Sequence, residues 1–291
     1  MSTRTEFRFH GRDGFPVAGY QWEPGGVPRG VVQISHGLGE HLGRYEHLAQ
    51  TLATAGFFVH GHDSRGHGQT IAPGAEPGVI GADGWTRTVE DLDVLVDRGR
   101  AEYPGLPVVL FAHSMGSFAT QQYLLDHSDR VDAVALSGTG ALDLIEPALD
   151  LDAGVGLAAF NGPFEPGRTG FEWLSRDEHE VDRYLADPLC GFGYDIDGMK
   201  AVFANARQIA DPTRLAGVRA DLPLYLAVGD QDPVNGQLAL INALVDRFRV
   251  AGLTDIQLRV YPGARHEILN EINRDEVEAD LLTWLDRIAP R

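Results

Sequence analysis

The sequence predicts an α/β fold in which a mostly parallel, eight-stranded β-sheet carries helices on both faces. Short apolar runs alternate with segments of helical periodicity through most of the chain, as in successive strand–helix units. Several of these runs are apolar without interruption, which is typical of strands buried on both faces of a sheet. Of the 291 residues, 43% are hydrophobic and 23% are charged, a composition that allows a large core.

A hairpin and two further strands begin the chain. Residues 5–22 alternate apolar and polar side chains around a Gly-Arg-Asp-Gly turn, which predicts an antiparallel hairpin at a sheet edge. Residues 30–35 form an apolar run that enters a glycine-rich turn, and apolar residues recur at helical spacing between 44 and 55. Gly56 predicts the end of that helix, and the next strand begins at residues 57–59.

The alternation continues to residue 137 and resumes at residue 222. A loop rich in Pro, Gly and Ala covers residues 71–82, before the next helix. The predicted elements after this loop are a helix at 88–103, a strand at 108–113, a helix to about 128, a strand at 131–137, a strand at 222–228, a helix at 236–250, a strand at 255–261 and a helix at 273–288.

Between residues 141 and 210 the alternation stops. Apolar clusters and aromatic residues are interspersed with Gly and Pro there, and no clear buried strand is present. An insertion after the carboxyl end of a strand lies above the edge where open α/β sheets bind their ligands. We therefore predict a core domain formed by 1–140 and 211–291, and a helical cap formed by 141–210.

Composition excludes several classes of partner. The formal net charge of −18 argues against nucleic acid or an anionic membrane as the main partner. The single cysteine, Cys190, has no partner for an internal disulfide. The first residues lack the apolar core of a signal peptide, and no apolar run approaches the ~18 residues of a membrane span. We expect a cytoplasmic protein, and the oligomeric state stays open.

The strand at 108–113 leads into Ser114, which small residues flank. The segment Ala-His-Ser-Met-Gly at 112–116 resembles the G-x-S-x-G pattern, in which a sharp strand-to-helix turn with positive φ exposes the serine hydroxyl. Ala112 takes the place of the first glycine. Taken alone, this segment is also compatible with an ordinary strand–helix junction.

Two further residues turn this junction into a candidate catalytic site. A serine hydroxyl needs a base, and the base needs a carboxylate that holds its tautomer. Asp232 and His266 each follow the carboxyl end of a predicted strand, at the same sheet edge as Ser114. The order Ser114, Asp232, His266 along the chain is the order of α/β-hydrolases, so we predict these three residues as the catalytic triad.

Other polar residues are weaker candidates. Asp230 follows the same strand as Asp232 but lies closer to its end, where a turn-capping role suffices. His113 is expected to face away from the Ser114 hydroxyl, and His36 to form structural hydrogen bonds. The histidines at 60, 62 and 67 invite a metal hypothesis, but no regular element fixes their geometry as a ligand set. We expect neither a metal nor an organic cofactor.

Several motifs resemble the monoacylglycerol lipase and lysophospholipase family of α/β-hydrolases. The resemblance covers about residues 30–285. The segments that carry it are 35–41 (SHGLGEH), 44–45 (RY), 63–68 (DSRGHG), 103–107 (YPGLP), 113–116 (HSMG), 175–176 (SR) and 187–189 (DPL).

The resemblance implies an oxyanion hole formed by the backbone N–H groups of Leu38 and Met115. Such donors contribute roughly 3 kcal/mol each to transition-state stabilisation. This sequence departs from the family pattern at Ala112 and Ser117, where glycine is common. Both departures concern the packing of the turn and put substrate fit in doubt more than activity.

The predicted function is hydrolysis of carboxylic esters through an acyl-serine intermediate, with monoacylglycerols or similar monoacyl esters as substrates. The alternatives are a lysophospholipase, a carboxylesterase for small or aromatic esters, and a non-enzymatic ligand receptor on the same fold. The cap is expected to bury the acyl chain and to contact lipid aggregates transiently. Its candidate substrate-binding residues are Leu142, Leu144, Ile145, Phe160 and Phe164.

Overall fold

The structure is a computed structural model that describes residues 3–81 and 83–291. Its strands are β1 (Arg4–His10), β2 (Pro16–Trp22), β3 (Gly30–Ser35), β4 (Phe57–His62), β5 (Val108–His113), β6 (Ala133–Ser137), β7 (Leu224–Gly229) and β8 (Ile256–Tyr261). Its α-helices are α1 (Glu46–Thr54), α2 (Gly84–Glu102), α3 (Met115–His127), α4 (Glu178–Ala186), α5 (Ile196–Ile209), α6 (Pro212–Leu215), α7 (Ala239–Val250) and α8 (Arg274–Ile288). None of the helices within this described part is both long and apolar enough to cross a membrane.

The strands of the described residues form one sheet in the order β1-β2-β4-β3-β5-β6-β7-β8. The pairs β1–β2 and β2–β4 are antiparallel, and every later pair is parallel. The predicted edge hairpin and the mostly parallel sheet are therefore confirmed. The carboxyl ends of β3 and β5 to β8 meet at one edge, where such sheets bind ligands.

Alternation along β5 shows how the sheet is covered on both faces. Val108 and Leu110 belong to the apolar cluster that includes α2, α3 and α7. Val109 and Phe111 belong to the opposite cluster, which includes α1 and α8. Successive side chains of a strand point to opposite faces, so an uninterrupted apolar run supplies two cores at once. This arrangement confirms the prediction of helices on both faces.

Several element boundaries differ from the predicted ones, among them the end of β4 and the start of α2. β4 continues through Gly61 and His62, because Gly61 pairs with Ile34 on β3 and His62 pairs with Gly19 on β2. Pairing on both sides thus outweighs the low strand preference of glycine. α2 begins at Gly84, four residues before its predicted start. Of the predicted loop at 71–82, the last residue lies outside the described residues.

The segment 141–210 runs from the end of β6 towards β7. Its described residues contain α4, α5 and short 3-10 turns, with no strand. Arg247 on α7 donates two hydrogen bonds to Asp143, at 2.6 and 2.9 Å, and Arg176 pairs with Glu271 at 2.8 Å. These ion pairs tie the segment to the rest of the fold. The division into a core and a cap with boundaries at 141 and 210 stays a prediction.

The turn from β5 into α3 brings two backbones into close approach. Ser114, between the two elements, has φ 48° and ψ −118°, a left-handed conformation that non-glycine residues rarely adopt. A Cβ atom at Gly116 would lie 2.6 Å from the carbonyl oxygens of Ser35 and His36. Position 116 therefore has no room for a side chain.

We expect Gly116→Ala to destabilise the fold by about 1–3 kcal/mol, because the added methyl group forces the end of β3 away from α3. The measurement is the free energy of unfolding in urea. The matched control is Gly26→Ala in an exposed loop, where a Cβ atom meets nothing within 4 Å. Equal stability of the two variants would contradict the close approach.

Candidate active site

Ser114 is held at the corner by its backbone and by Ser117. The Ser114 N–H donates to the carbonyl of Ser137 on β6, at 2.9 Å. The Ser117 hydroxyl donates to the Ser114 carbonyl at 2.6 Å and lies 2.9 Å from the Thr139 hydroxyl. Ala112 is fully buried. The two departures from the family pattern are thus accommodated, and the serine at 117 adds a hydrogen bond to the turn.

His266 lies between Ser114 and Asp232. Its Nδ1–H donates to Asp232 Oδ2 at 2.9 Å, which leaves Nε2 to accept from the Ser114 hydroxyl at 2.9 Å. Burial alone would lower the pKa of His266, but the charge of Asp232 and its hydrogen bond outweigh burial and raise the pKa above the usual 6.5. The three predicted residues therefore form one hydrogen-bonded line.

Each partner of Ser114 sits in a loop that is fixed from two sides. Asp232 also accepts from the N–H of Val234 at 2.8 Å, and Asn235 in the same turn donates to the Gly229 carbonyl at 2.8 Å. The His266 N–H donates to the Trp173 carbonyl at 3.2 Å, and the two rings are 4.9 Å apart. The segment 141–210 thus contributes to holding His266.

Two rival residues have structural roles, as predicted. Asp230 accepts from the N–H of Gly263 at 2.8 Å and so fixes the turn after β8. His36 donates from Nδ1 to the Gly37 carbonyl at 2.7 Å and accepts at Nε2 from the N–H of Ser64 at 2.8 Å. Both side chains are therefore occupied away from Ser114.

The structure places His113 on the predicted face of the sheet, but nearer to the site than expected. Its ring lies 6.5 Å from the ring of Tyr45, on the face that α1 and α8 cover, so the alternation of β5 continues through His113. No hydrogen bond joins His113 to Ser114 in the described part of the chain. The His113 ring is nonetheless 4.8 Å from the ring of His266 and lines the same cavity, while Nδ1 is 2.9 Å from the Ser137 hydroxyl. Burial, followed by the nearby His266, lowers the pKa of His113 to about 4, which favours a neutral ring.

The backbone N–H groups of Leu38 and Met115 flank Ser114. Both residues line the cavity beside it, and neither N–H has an acceptor among the residues that the structure describes. The turn that carries Leu38 is fixed on both sides: the Gly37 N–H donates to Glu40 at 2.6 Å, and the Gly39 N–H donates to His67 at 3.1 Å. An oxyanion hole requires two such free donors near the nucleophile, so this part of the site stays a prediction.

A largely apolar cavity opens over Ser114 and His266. Leu142, Ile145 and Phe160 line it, whereas Leu144 and Phe164 do not. Leu142 to Leu144 form a 3-10 turn, in which residues three apart share a side, so Leu144 points away from Leu142 and is 49% exposed. Phe164 packs under the guanidinium of Arg265.

Sequence reasoning missed most of the cavity wall. Residues that it did not select include Phe118, Leu149, Val155, Met199, Val202 and Phe203. They come from α3, α5 and the irregular part of the segment 141–210. Their apolar character was visible in the sequence, but nothing in the periodicity indicated that they face one cavity.

Charged residues form one wall of the same cavity, and these were also missed. Glu40 and Glu267 line the cavity, and Arg44 pairs with both. Burial alone would raise the pKa of Glu40, but the charge of Arg44 outweighs it and lowers the pKa to about 2. The available signals were the position of Glu40 in the segment 35–41 and of Glu267 directly after His266.

One cluster within the described residues brings together three groups of metal-ligating types. His41, Asp187 and Cys190 have ligand atoms within 4.8 Å of one another; the histidines at 60, 62 and 67 do not form such a group there. His41 Nδ1 accepts from the N–H of Gly43, so Nε2 carries the proton that is donated to Asp187 at 2.9 Å. Burial raises the pKa of the Cys190 thiol. The cluster is therefore explained by hydrogen bonding alone.

Sequence comparison relates the chain to known ester hydrolases. The family model described as Hydrolase_4, serine aminopeptidase, S33, matches residues 26–273. The chain is 34% identical to the monoacylglycerol lipase of Mycolicibacterium smegmatis (strain ATCC 700084 / mc(2)155), over 98% of each protein. It is 31% identical to the monoglyceride lipase of Rattus norvegicus, over 92% of this chain and 86% of that protein.

Structural comparison gives the same result. A highly thermostable carboxyl esterase from Bacillus coagulans, solved with glycerol, is similar with a TM-score of 0.88 and 28% identity, over 99% of this chain and 100% of that one. A soluble variant of monoglyceride lipase from Saccharomyces cerevisiae shares the fold, with a TM-score of 0.78 and 21% identity over 99% and 96% of the two chains. On these grounds the chain belongs to the Hydrolase_4 family, and it is a carboxylic ester hydrolase with the α/β-hydrolase fold of the monoacylglycerol lipases.

Proposed function

We propose that this protein hydrolyses monoacylglycerols or similar monoacyl esters through an acyl-enzyme intermediate on Ser114. The observation that carries the proposal is the hydrogen-bonded line from Asp232 through His266 to Ser114, at the base of a largely apolar cavity. The names of the relatives in sequence, monoacylglycerol and monoglyceride lipases, support this substrate class.

In the proposed mechanism, His266 accepts the hydroxyl proton as Ser114 Oγ attacks the ester carbonyl. The carbonyl oxygen becomes an oxyanion, which the N–H groups of Leu38 and Met115 stabilise. The protonated His266 then gives its proton to the departing alcohol, and the acyl group stays on Ser114. Water, deprotonated by His266, hydrolyses this acyl ester and releases the acid. Asp232 holds the tautomer of His266 throughout and stabilises its positive charge.

The apolar lining of the cavity supports an ester with a long acyl chain as the substrate. Apolar side chains form most of the wall, and its charged members, Glu40 and Glu267, are already paired with Arg44. Each methylene that an acyl chain buries contributes roughly 0.8 kcal/mol to binding. A simple acetyl ester buries few methylenes, so it is expected to be a poorer substrate.

The chain-length dependence of kcat/KM tests the substrate class. We would measure p-nitrophenyl esters from acetate to palmitate, monoacylglycerols of the same chain lengths, and a lysophospholipid. The proposal expects kcat/KM to rise with chain length over the short and medium esters, and monoacylglycerols to exceed the lysophospholipid. Highest activity on acetate would favour a small-ester carboxylesterase, and preference for the lysophospholipid would favour that alternative activity.

Three further expectations belong to this proposal and stay predictions. They are a cytoplasmic location, a separate cap formed by 141–210, and transient contact of that cap with lipid aggregates. Exposed apolar side chains at Leu144 and Ile196 support the last of these. Binding of the protein to neutral monoolein dispersions, compared with a Leu144→Ser, Ile196→Ser variant, would test it.

Ser114→Ala is expected to lower kcat by at least ~10³-fold, because the nucleophile is lost while binding residues remain. Near-ultraviolet circular dichroism and Tm check that the fold is intact. The matched control is Ser64→Ala, since the buried Ser64 hydroxyl has no hydrogen-bond partner in the described part of the chain. Substantial turnover by Ser114→Ala would place the nucleophile elsewhere.

Asp232→Asn is expected to lower kcat by about 10⁴-fold, because the amide favours the wrong tautomer of His266. Asp230→Asn provides the control: it is the same substitution two residues away, at a carboxylate that accepts from Gln231 and from Gly263 in the turn after β8. Steady-state kinetics on one ester, run on both variants, decide the question. A larger loss in the Asp230 variant would reassign the carboxylate partner.

Leu142→Ala is expected to change kcat/KM more for long than for acetyl esters, because Leu142 lines the cavity. Leu144→Ala is the control, since its side chain is exposed, and its chain-length profile should match that of the unsubstituted protein. Equal losses at every chain length for Leu142→Ala, together with a lower Tm, would mean that Leu142 serves packing alone.

A further inference from the structure

Arg44 joins two loops of the active site through buried carboxylates. Its Nη1 donates to Glu40 Oε2 at 2.8 Å and to Glu267 Oε1 at 2.5 Å, and its Nη2 donates to Glu267 Oε2 at 2.7 Å. The side chains of Arg44, Glu40 and Glu267 are 10%, 4% and 5% exposed. A forked guanidinium–carboxylate pair fixes direction as well as distance. We call these three residues the Arg44 bridge.

Each end of the bridge meets a loop that carries a reacting group. At one end, Glu40 Oε1 accepts from the N–H of Gly37 at 2.6 Å, and Gly37 directly precedes Leu38. At the other end, Glu267 directly follows His266, and its own N–H donates to the Leu174 carbonyl at 2.8 Å. The bridge therefore runs from the residue before one oxyanion donor to the residue after the candidate base.

The sheet does not set the distance between these two loops directly. The Leu38 turn follows β3, and His266 follows β8, with β5, β6 and β7 between them in the sheet. Small changes in strand twist would accumulate across those three strands. A direct link between the loops removes this freedom, and loss of about 1 Å in alignment costs up to about 10²-fold in rate.

We propose that Glu267, acting through Arg44 and Glu40, is a positioning residue that fixes the Leu38 turn relative to His266. The proposal rests on the function proposed above for Ser114 and His266. Alignment of the oxyanion donors matters more in the transition state than for bound substrate. Breaking the bridge is therefore expected to lower kcat and to leave KM nearly unchanged.

The bridge also has an electrostatic consequence. It holds two carboxylates and one guanidinium, so its formal charge is −1, and both carboxylates raise the pKa of His266 after Asp232. His266 is neutral when it acts as base, so activity rises with pH through its pKa. Two charged groups lie in the loop of His266 itself, Arg265 and Glu267. The titratable, charged or aromatic groups that face His266 from other elements are Asp232 after β7, His113 at the end of β5, Glu40 and Arg44 after β3, and Trp173 in the segment 141–210.

Glu267→Gln tests the proposal, because it keeps the shape of the side chain but removes its charge and its forked pairing. We expect kcat on the pH plateau to fall by about 10- to 100-fold with KM nearly unchanged. The factor should be the same for p-nitrophenyl butyrate and for a monoacylglycerol. The acid limb of kcat/KM should move to lower pH, because loss of a nearby negative charge lowers the pKa of His266.

Two further variants separate positioning from charge and from fold stability. Arg44→Lys keeps the positive charge but loses the fork, so kcat should fall without the shift of the acid limb. Glu278→Gln removes a buried carboxylate of α8 that accepts from His47 and Thr51 on α1, away from both active-site loops. It should lower Tm but leave kcat and the acid limb as they are.

A Glu267→Gln variant with kcat within twofold of the unsubstituted protein would overturn the proposal. So would a rise in KM confined to the monoacylglycerol, since that result assigns Glu267 to contact with the alcohol part of the substrate. An effect of Glu278→Gln on kcat equal to that of Glu267→Gln would reduce the bridge to a structural role. Failure of the proposed function can be told apart from failure of the bridge proposal. If the proposed function is wrong, Ser114→Ala retains activity, whatever the effect of Glu267→Gln.

Discussion

The left-handed backbone of Ser114 is the constraint on which the rest of the site depends. A non-glycine residue with φ 48° and ψ −118° costs of order 1–3 kcal/mol and persists only where its surroundings over-determine it. Here the hydrogen bond from Ser114 N–H to β6, the contact of Gly116 with the end of β3 and the Ser117 hydroxyl supply that support. The turn places Ser114 Oγ 2.9 Å from His266 Nε2, and Met115, whose N–H is proposed as an oxyanion donor, directly follows Ser114. One turn therefore positions the serine and this neighbouring N–H.

The other reacting groups reach this corner because parallel strands end at one edge. Asp232 and His266 follow neighbouring strands, so their mutual distance is fixed by the pairing of β7 with β8. The Leu38 turn follows β3, which pairs with β5 beside Ser114 but is separated from β8 by three strands. Buried charges connect this turn to the His266 loop: Arg44 lies between Glu40 and Glu267. Buried ion pairs are weak contributors to stability, which is consistent with a role in geometry. The low dielectric of the site also strengthens the effect of these charges on the pKa of His266.

Local patterns predicted the fold and the line of Ser114, Asp232 and His266, because strand ends and chain order are sequence properties. Contacts between distant segments were not predictable in that way. The Arg44 bridge joins residues 223 positions apart. Glu40 and Arg44 lie in segments that carry the family resemblance, but nothing in the sequence pairs them with Glu267. Alternation along β5 holds through His113, but it does not reveal that the ring reaches as far as His266. Leu142 and Leu144 were both predicted to bind substrate because both are apolar residues of the same segment. In a 3-10 turn, residues two apart point in different directions, so only Leu142 lines the cavity.

A fluorophosphonate probe tests whether His266 activates the hydroxyl of Ser114. Such a probe forms a covalent bond to an activated serine oxygen with loss of fluoride. Mass spectrometry of the folded protein and of its peptides then counts and locates the label. We expect one label per chain, on Ser114, and loss of labelling in the His266→Ala variant. A label on another residue, no label on the folded protein, or equal labelling of His266→Ala would contradict it.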